Sequence, residues 1–132
     1  MTPFQIRVLY EDAWRHRELR LEPFQQYKHL FSRGVIDMSF GQGWDGLFLD
    51  FLKHFSQVQQ PDEVIIQAKE KFADLRIYMS SGSDAIDNLI AAAEEAASET
   101  CEVTGEKGAK AYSKNGWMKT LHPTTAAAIG YD

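Results

Sequence analysis

One stretch constrains the fold more than any other: residues 64–98, VIIQAKEKFADLRIYMSSGSDAIDNLIAAAEEAAS, where the spacing of apolar side chains changes period part-way. In its first half the pattern alternates. Val64, Ile66 and Ala68 fall on one face, with Ile65, Gln67 and Lys69 on the other, and Leu75, Ile77 and Met79 alternate with Arg76, Tyr78 and Ser80. Period two with β-branched and aromatic residues suits half-buried strands, so the spacing predicts a β-hairpin. The intervening EKFAD is longer than the tightest hairpin connections and predicts a bulge or an irregular turn. After Ser80-Ser81-Gly82 the period becomes 3.6. Ile86, Leu89, Ile90, Ala93 and Ala97 line one face of an amphipathic helix, with Ser83 as its N-cap. Asp84 and Asp87 are favoured at the positive end of the helix dipole, and Glu94, Glu95 and Glu99 make the opposite face a solvated acidic one.

Such a unit needs cover. In SFGQGWDGLFLDFLKHFSQ the stripe Leu47, Phe48, Phe51, Leu52 and Phe55 must be buried, and the apolar face of the hairpin is its natural partner. Gly41-Gln42-Gly43 lacks the third glycine, the preceding buried strand and the GK[ST] of a phosphate-binding loop. The glycines instead predict a tight turn into the helix, with Trp44 as packing anchor and Asp45 as N-cap. Pro23 opens a short helix, PFQQYKHLFSR, on which Phe24, Tyr27 and Phe31 share a face; Gly34 ends it, and His29 has no assigned role. At the N-terminus two patterns compete. Thr2-Pro3 reads as the start of a helix, whereas Phe4, Ile6, Val8 and Tyr10 alternate as in a strand. The following EDAWRHRELR is rich in charge. It reads either as a solvated helix with internal ion pairs or as a partner-binding arm anchored by Trp14, Arg15 and Arg17.

The last 32 residues, CEVTGEKGAKAYSKNGWMKTLHPTTAAAIGYD, have the rhythm of a zinc ribbon: a turn at Gly105, a strand, an Asn115-Gly116 turn, a strand and a second turn. Its four corners are Cys101, Thr104, His122 and Thr125. Only the cysteine and histidine are zinc ligands, so Cys101 and His122 read as relic positions in a metal-free lobe held by Tyr112, Trp117, Leu121 and the Asn-Gly turn. Completion by His16, His29, His54 or another chain is the alternative.

FQQYKHLFSRG…FGQGWDGLFLDFL, QAKEKFADLRIYMSSG and CEVTGEKG…NGWMKTLH together resemble a family of small, largely uncharacterised proteins of phages and prophages. That family shows a GDGW-type helix opening, a VKEKFGxLRFY-type hairpin and a terminal zinc-ribbon-like segment with the pattern CxxCGxxG…GWxxTLCxxH/C. The likeness spans about residues 24 to 131 and departs from the pattern at Thr104, His122 and Thr125. It supplies no catalytic residues.

The expected fold is therefore α+β: a small antiparallel sheet on amphipathic helices with a C-terminal degenerate zinc-ribbon-like hairpin. A length of 132 residues allows one domain, divided as an N-terminal arm (1–22), an α+β core (23–100) and a ribbon-like lobe (101–132). A net charge of −5 argues against sequence-independent binding along phosphates, which needs clustered Lys and Arg. The single cysteine excludes an intrachain disulfide, and no apolar run or leader-like segment is present, so a cytoplasmic protein is expected.

No Ser/His/Asp or Cys/His constellation emerges, and Glu70, Asp74 and Asp62 are accounted for by ion pairs with Lys69, Lys71 and Arg76. The reading is a non-enzymatic, cofactor-free protein. On the resemblance, it is an inhibitor of a host defence complex, anti-CRISPR-like or otherwise counter-defensive, acting by surface occlusion. Its contact candidates are Asp84, Asp87, Glu94 and Glu95, mimicking phosphates toward a basic groove, with Trp14, Arg15 and Arg17. The alternative is a small nucleic-acid-binding module using Lys110, Tyr112, Lys114 and Lys119, with Trp117 interleaved but expected in the core.

Overall fold

The hairpin forms where the alternation places it, but with a different turn and a different phase. In the computed structural model, which describes all 132 residues apart from the side chains of Trp14 and His16, β2 (Ile65–Lys71) pairs antiparallel with β3 (Asp74–Met79). A register shift between Ile65 and Gln67 inserts one extra residue. Ile65 and Ala68 are therefore both buried while Ile66 is half exposed, which overturns the face assigned to Val64 and Ile66. A bulge moves every residue on one side of it to the opposite face, and period-two counting cannot see it. The turn is the two residues Phe72-Ala73, both at positive φ, rather than a longer loop. A two-residue β1 (Met38–Ser39) joins β2 in parallel, giving the sheet order β1-β2-β3 and making it mixed rather than purely antiparallel.

The helix after the hairpin is α4 (Asp84–Ser98), capped by Ser83, whose hydroxyl accepts from the Ile86 amide, with Asp84 and Asp87 in its first turn. It lies on β3 and against α3 (Asp45–Val58). α3 thus packs chiefly on α4 and on the 3-10 turns of Glu22–Leu30, and the hairpin reaches it through the shared core rather than as its main partner. Phe48 centres that core, with the rings of Phe24, Phe31, Phe40 and Phe51 5.3 to 6.3 Å away. Asp45 is not a cap. It is the first residue of α3 and receives a two-pronged hydrogen bond from Arg20, at 2.8 and 2.9 Å, while the same guanidinium donates to the Phe40 carbonyl.

A second apolar cluster joins the two ends of the chain. The N-terminal segment is helical: α1 (Pro3–Asp12) carries a reciprocal Thr2/Gln5 capping box and buries Ile6 against Cys101, Leu121, Ala126, Ile129 and Tyr131. α1 is continued by a 3-10 turn at Ala13–His16 and a short α2 (Arg17–Leu21). The C-terminal hairpin, β4 (Lys110–Lys114) and β5 (Trp117–Leu121), turns at Asn115-Gly116 as expected. The second turn is instead α5 (Pro123–Ile129), with His122 as its N-cap. The architecture is α+β.

The two clusters meet at the glycines. The Gly43 amide donates to the Glu102 carbonyl at 2.7 Å, and Trp44 Nε1 donates to the Thr100 carbonyl at 2.8 Å. A Cβ on Gly41 would strike the Glu102 carbonyl, and one on Gly43 the Cys101 carbonyl. These glycines therefore serve close approach between lobes as well as the turn into α3.

Candidate functional site

Across that seam lies an ionic strut. Glu102 follows Cys101 into the second cluster and is 1% exposed; its Oε2 accepts from the Gly41 amide at 2.9 Å and from Lys119 Nζ at 3.4 Å. Lys119, from β5, also lies 3.6 Å from Glu70 Oε1, and Glu70 Oε2 accepts from the Ala73 amide at 3.0 Å. Thr120 next to it donates its hydroxyl to the Ala73 carbonyl at 2.6 Å. Burial pushes the Glu102 carboxyl above its ordinary value, more than Lys119 and the Gly41 amide pull it down. Burial pulls the Lys119 ammonium the other way, but the two carboxylates outweigh it and hold Lys119 above its ordinary value. Glu70 is thus paired across the lobes, not with its neighbours in sequence; Asp74 does pair with Arg76, at 3.4 Å. Glu102 Oε1 is buried with no hydrogen-bond partner among the described residues.

The strut lies beside two adjoining depressions. A cleft of about 560 Å³ is lined by Arg17, Arg20, Lys69, Glu70, Trp117 and Lys119 among others. A groove of about 470 Å³ continues from it between the two hairpin turns, walled by Phe72, Trp117 and Met118 with Lys69 and Lys71. Nothing in the sequence pattern signals either. The expectation that Trp117 belongs to the core is wrong: it is 75% exposed. It shares the core-side face of β5 with Lys119 and Leu121, but lies at the turn, beyond the end of the cluster. Phe72, 67% exposed, carries a single sequence signal, a bulky apolar residue in a turn.

The other sequence candidates are scattered. Asp84 and Glu95 are exposed on the side of α4 opposite its buried Ile86, Ala93 and Ala97, while exposed Asp87 and half-buried Glu94 lie on its flank, so the acids are spread over the helix and enclose nothing. Arg15 is within 3.5 Å of Asp12, and Trp14's side chain lies outside the described residues. Of the basic hairpin residues, Lys114 donates to the Ile129 carbonyl and lies over the Tyr131 ring, Lys119 belongs to the strut, and Lys110 stands over half-buried Tyr112 at 5.8 Å.

The four corners of the presumed ribbon do converge on Cys101. Burial raises its thiol pKa, but contacts from the Thr104 hydroxyl, the His122 and Thr104 backbone and the Thr125 hydroxyl outweigh it, so the net shift is downward. Those residues do not fit zinc: the thiol is its only strong donor, and His122 turns Nδ1 to the Thr124 amide of its own helix at 3.2 Å. Thr125 Oγ1 is buried without an oxygen or nitrogen partner among the described residues. Among the described residues no three His, Cys, Asp or Glu side chains converge as a metal site; His29 and His54 are exposed elsewhere, and the His16 side chain lies outside the described residues.

Among the described residues no helix is long and apolar enough to cross a membrane. No protein-family model, curated protein or solved structure matches the chain.

Proposed function

We propose that the protein is a non-enzymatic binding module that occludes the surface of a partner protein, docking through the tips of its two hairpins. The observation that carries this reading is the placement of Phe72, Trp117 and Met118 in solvent around one groove, in a fold that buries its other tryptophan of described placement, Trp44, completely. Exposed aromatic and methionine side chains gathered in one patch are the residue types that anchor interfaces. The ionisable cluster beside the groove serves as a strut: Lys119 spends its charge on two carboxylates, and Glu102 is closed off from solvent. On the resemblance to phage and prophage proteins, the partner is a host defence complex in the cytoplasm, and the role is counter-defence of the anti-CRISPR kind. The acids of α4 are assigned a secondary contact that imitates phosphates.

The test is co-purification of the tagged chain with host complexes, quantified for variants. Trp117→Ala and Phe72→Ala are expected to lower recovery of the partner about tenfold or more, the scale of an interface hot spot. Reversal of Glu94 and Glu95 reports on those acids alone. Retention of the full complex in both aromatic variants would sink the docking face.

A second reading, a single-stranded nucleic-acid module, is favoured by one observation: exposed Trp117 stands beside Lys69 and Lys71. It predicts oligonucleotide binding that weakens steeply with salt.

A further inference from the structure

We infer that the groove between the two hairpin turns takes an acidic segment of a partner protein that carries an apolar anchor residue. The inference rests on the occlusion reading and names the chemistry of what is bound. Charge complementarity carries it. Lys69, half-buried at the junction of cleft and groove, has no ion-pair partner among the described residues; nor have Lys71 and Arg17. Glu70, the acid of the groove wall, is turned to the Ala73 amide and Lys119, so it does not neutralise them. A chain of net charge −5 thus presents Lys69 and Lys71 in the groove with Phe72, Trp117 and Met118, and Arg17 in the adjoining cleft, none of them ion-paired among the described residues. Asp or Glu side chains complement the rim, and an aliphatic or aromatic side chain between them fills the space by the rings, where Met118 adapts to its shape.

The same geometry disfavours a polynucleotide. Sequence-independent binding to phosphates scales with the number neutralised, and here the basic track is short. Lys114 and Lys119, which would extend it, are committed to the Ile129 carbonyl and to Glu70 and Glu102. Three free cations match a few carboxylates better than a repeating polyanion.

The experiment is fluorescence anisotropy on the full chain with three labelled probes of matched length: a peptide alternating aspartate and leucine, its lysine–leucine counterpart, and oligo(dT). The aspartate–leucine peptide is expected to bind about tenfold tighter than either other probe. Trp117→Ala and the double variant Lys69→Glu with Lys71→Glu should each weaken it about tenfold. Lys28→Glu, exposed and distant in sequence, should leave it unchanged, and circular dichroism should show all variants folded. Equal or tighter binding of oligo(dT), or of the lysine–leucine peptide, overturns the inference. So does acidic-peptide binding that Trp117→Ala leaves intact. A host complex that co-purifies undiminished with the Trp117→Ala chain, while no probe binds, removes this groove and leaves occlusion standing. Peptide binding without any host complex does the reverse.

Discussion

The two hairpins turn their corners with the same left-handed backbone and hold it by opposite means. At Asn115-Gly116 the φ values are 51° and 84°, and these two residue types are the ones a two-residue turn of this hand prefers. At Phe72-Ala73 they are 52° and 72°, in residues whose Cβ atoms disfavour that region by about 1–2 kcal/mol each. The first turn is specified by its own sequence. The second is held by side chains: the Ala73 amide by Glu70 of its own hairpin, the Ala73 carbonyl by Thr120 of the other lobe, and Ala73 itself is buried. A hairpin alone does not choose Phe there. Its strained backbone displays an aromatic ring to solvent, the pattern expected where local preference has yielded to another use.

If the second turn depends on the other lobe, separating the lobes should cost most. Gly43→Ala drives a methyl into the Cys101 carbonyl and breaks the hydrogen bond to Glu102. A loss of about 4 kcal/mol or more is expected in denaturant unfolding, the scale of the most damaging single changes. A loss below about 1 kcal/mol would mean that the seam gives way easily. Next comes the support itself. Thr120→Val keeps the shape but leaves the Ala73 carbonyl without its 2.6 Å partner, for an expected loss of about 1–3 kcal/mol. Amide exchange should loosen at Phe72 and Ala73 while Asn115 and Gly116 stay as they were.

A smaller effect reverses sign between the turns. Ala73→Gly relieves the left-handed strain, and should stabilise by about 0.5–1 kcal/mol once the flexibility glycine adds to the unfolded chain is subtracted. Gly116→Ala should destabilise by about 1 kcal/mol or more for the converse reason. Equal signs in thermal unfolding would dissolve the contrast.

How much of this was legible follows from what kind of contact each feature needs. α4 and the C-terminal turn are set by local periodicity, capping and Asn-Gly chemistry, and both appear as read. The phase of β2 was not legible, because one inserted residue near Ile66 changes the face without altering composition. Nor was the groove between the turns. It is made by two turns about 45 residues apart, brought together by Lys119 on Glu70 and Thr120 on the Ala73 carbonyl, long-range contacts that no local spacing betrays. Gly41 and Gly43 were visible as a turn but not as the seam, since what excludes their side chains is the backbone of residues 101 and 102.

The subtlest way to separate the turns is by pH, since only one of them leans on ionisable groups. Glu102's folded pKa lies above its ordinary 4.5 because burial outweighs its partners. Across the interval from 4.5 upward the unfolded chain has released a proton that the folded chain still holds, so this carboxyl's contribution to stability falls as pH rises and then levels off. Lys119 works at the other end: its raised pKa keeps its contribution whole below 10.5 and lost only as pH climbs past the folded value. Tyr131, pushed up to about 12 by burial and by Tyr10, adds to the same alkaline decline. The measurement is unfolding stability from pH 4 to 7 for the natural chain and Glu102→Gln, with exchange of the Ala73 and Gly116 amides followed in parallel and corrected for intrinsic rates. The difference between the two proteins should carry the slope, and the excess loss of protection should fall on Ala73. If Gly116 lost as much, the strut would belong to the whole lobe, and the strained turn would have no support of its own.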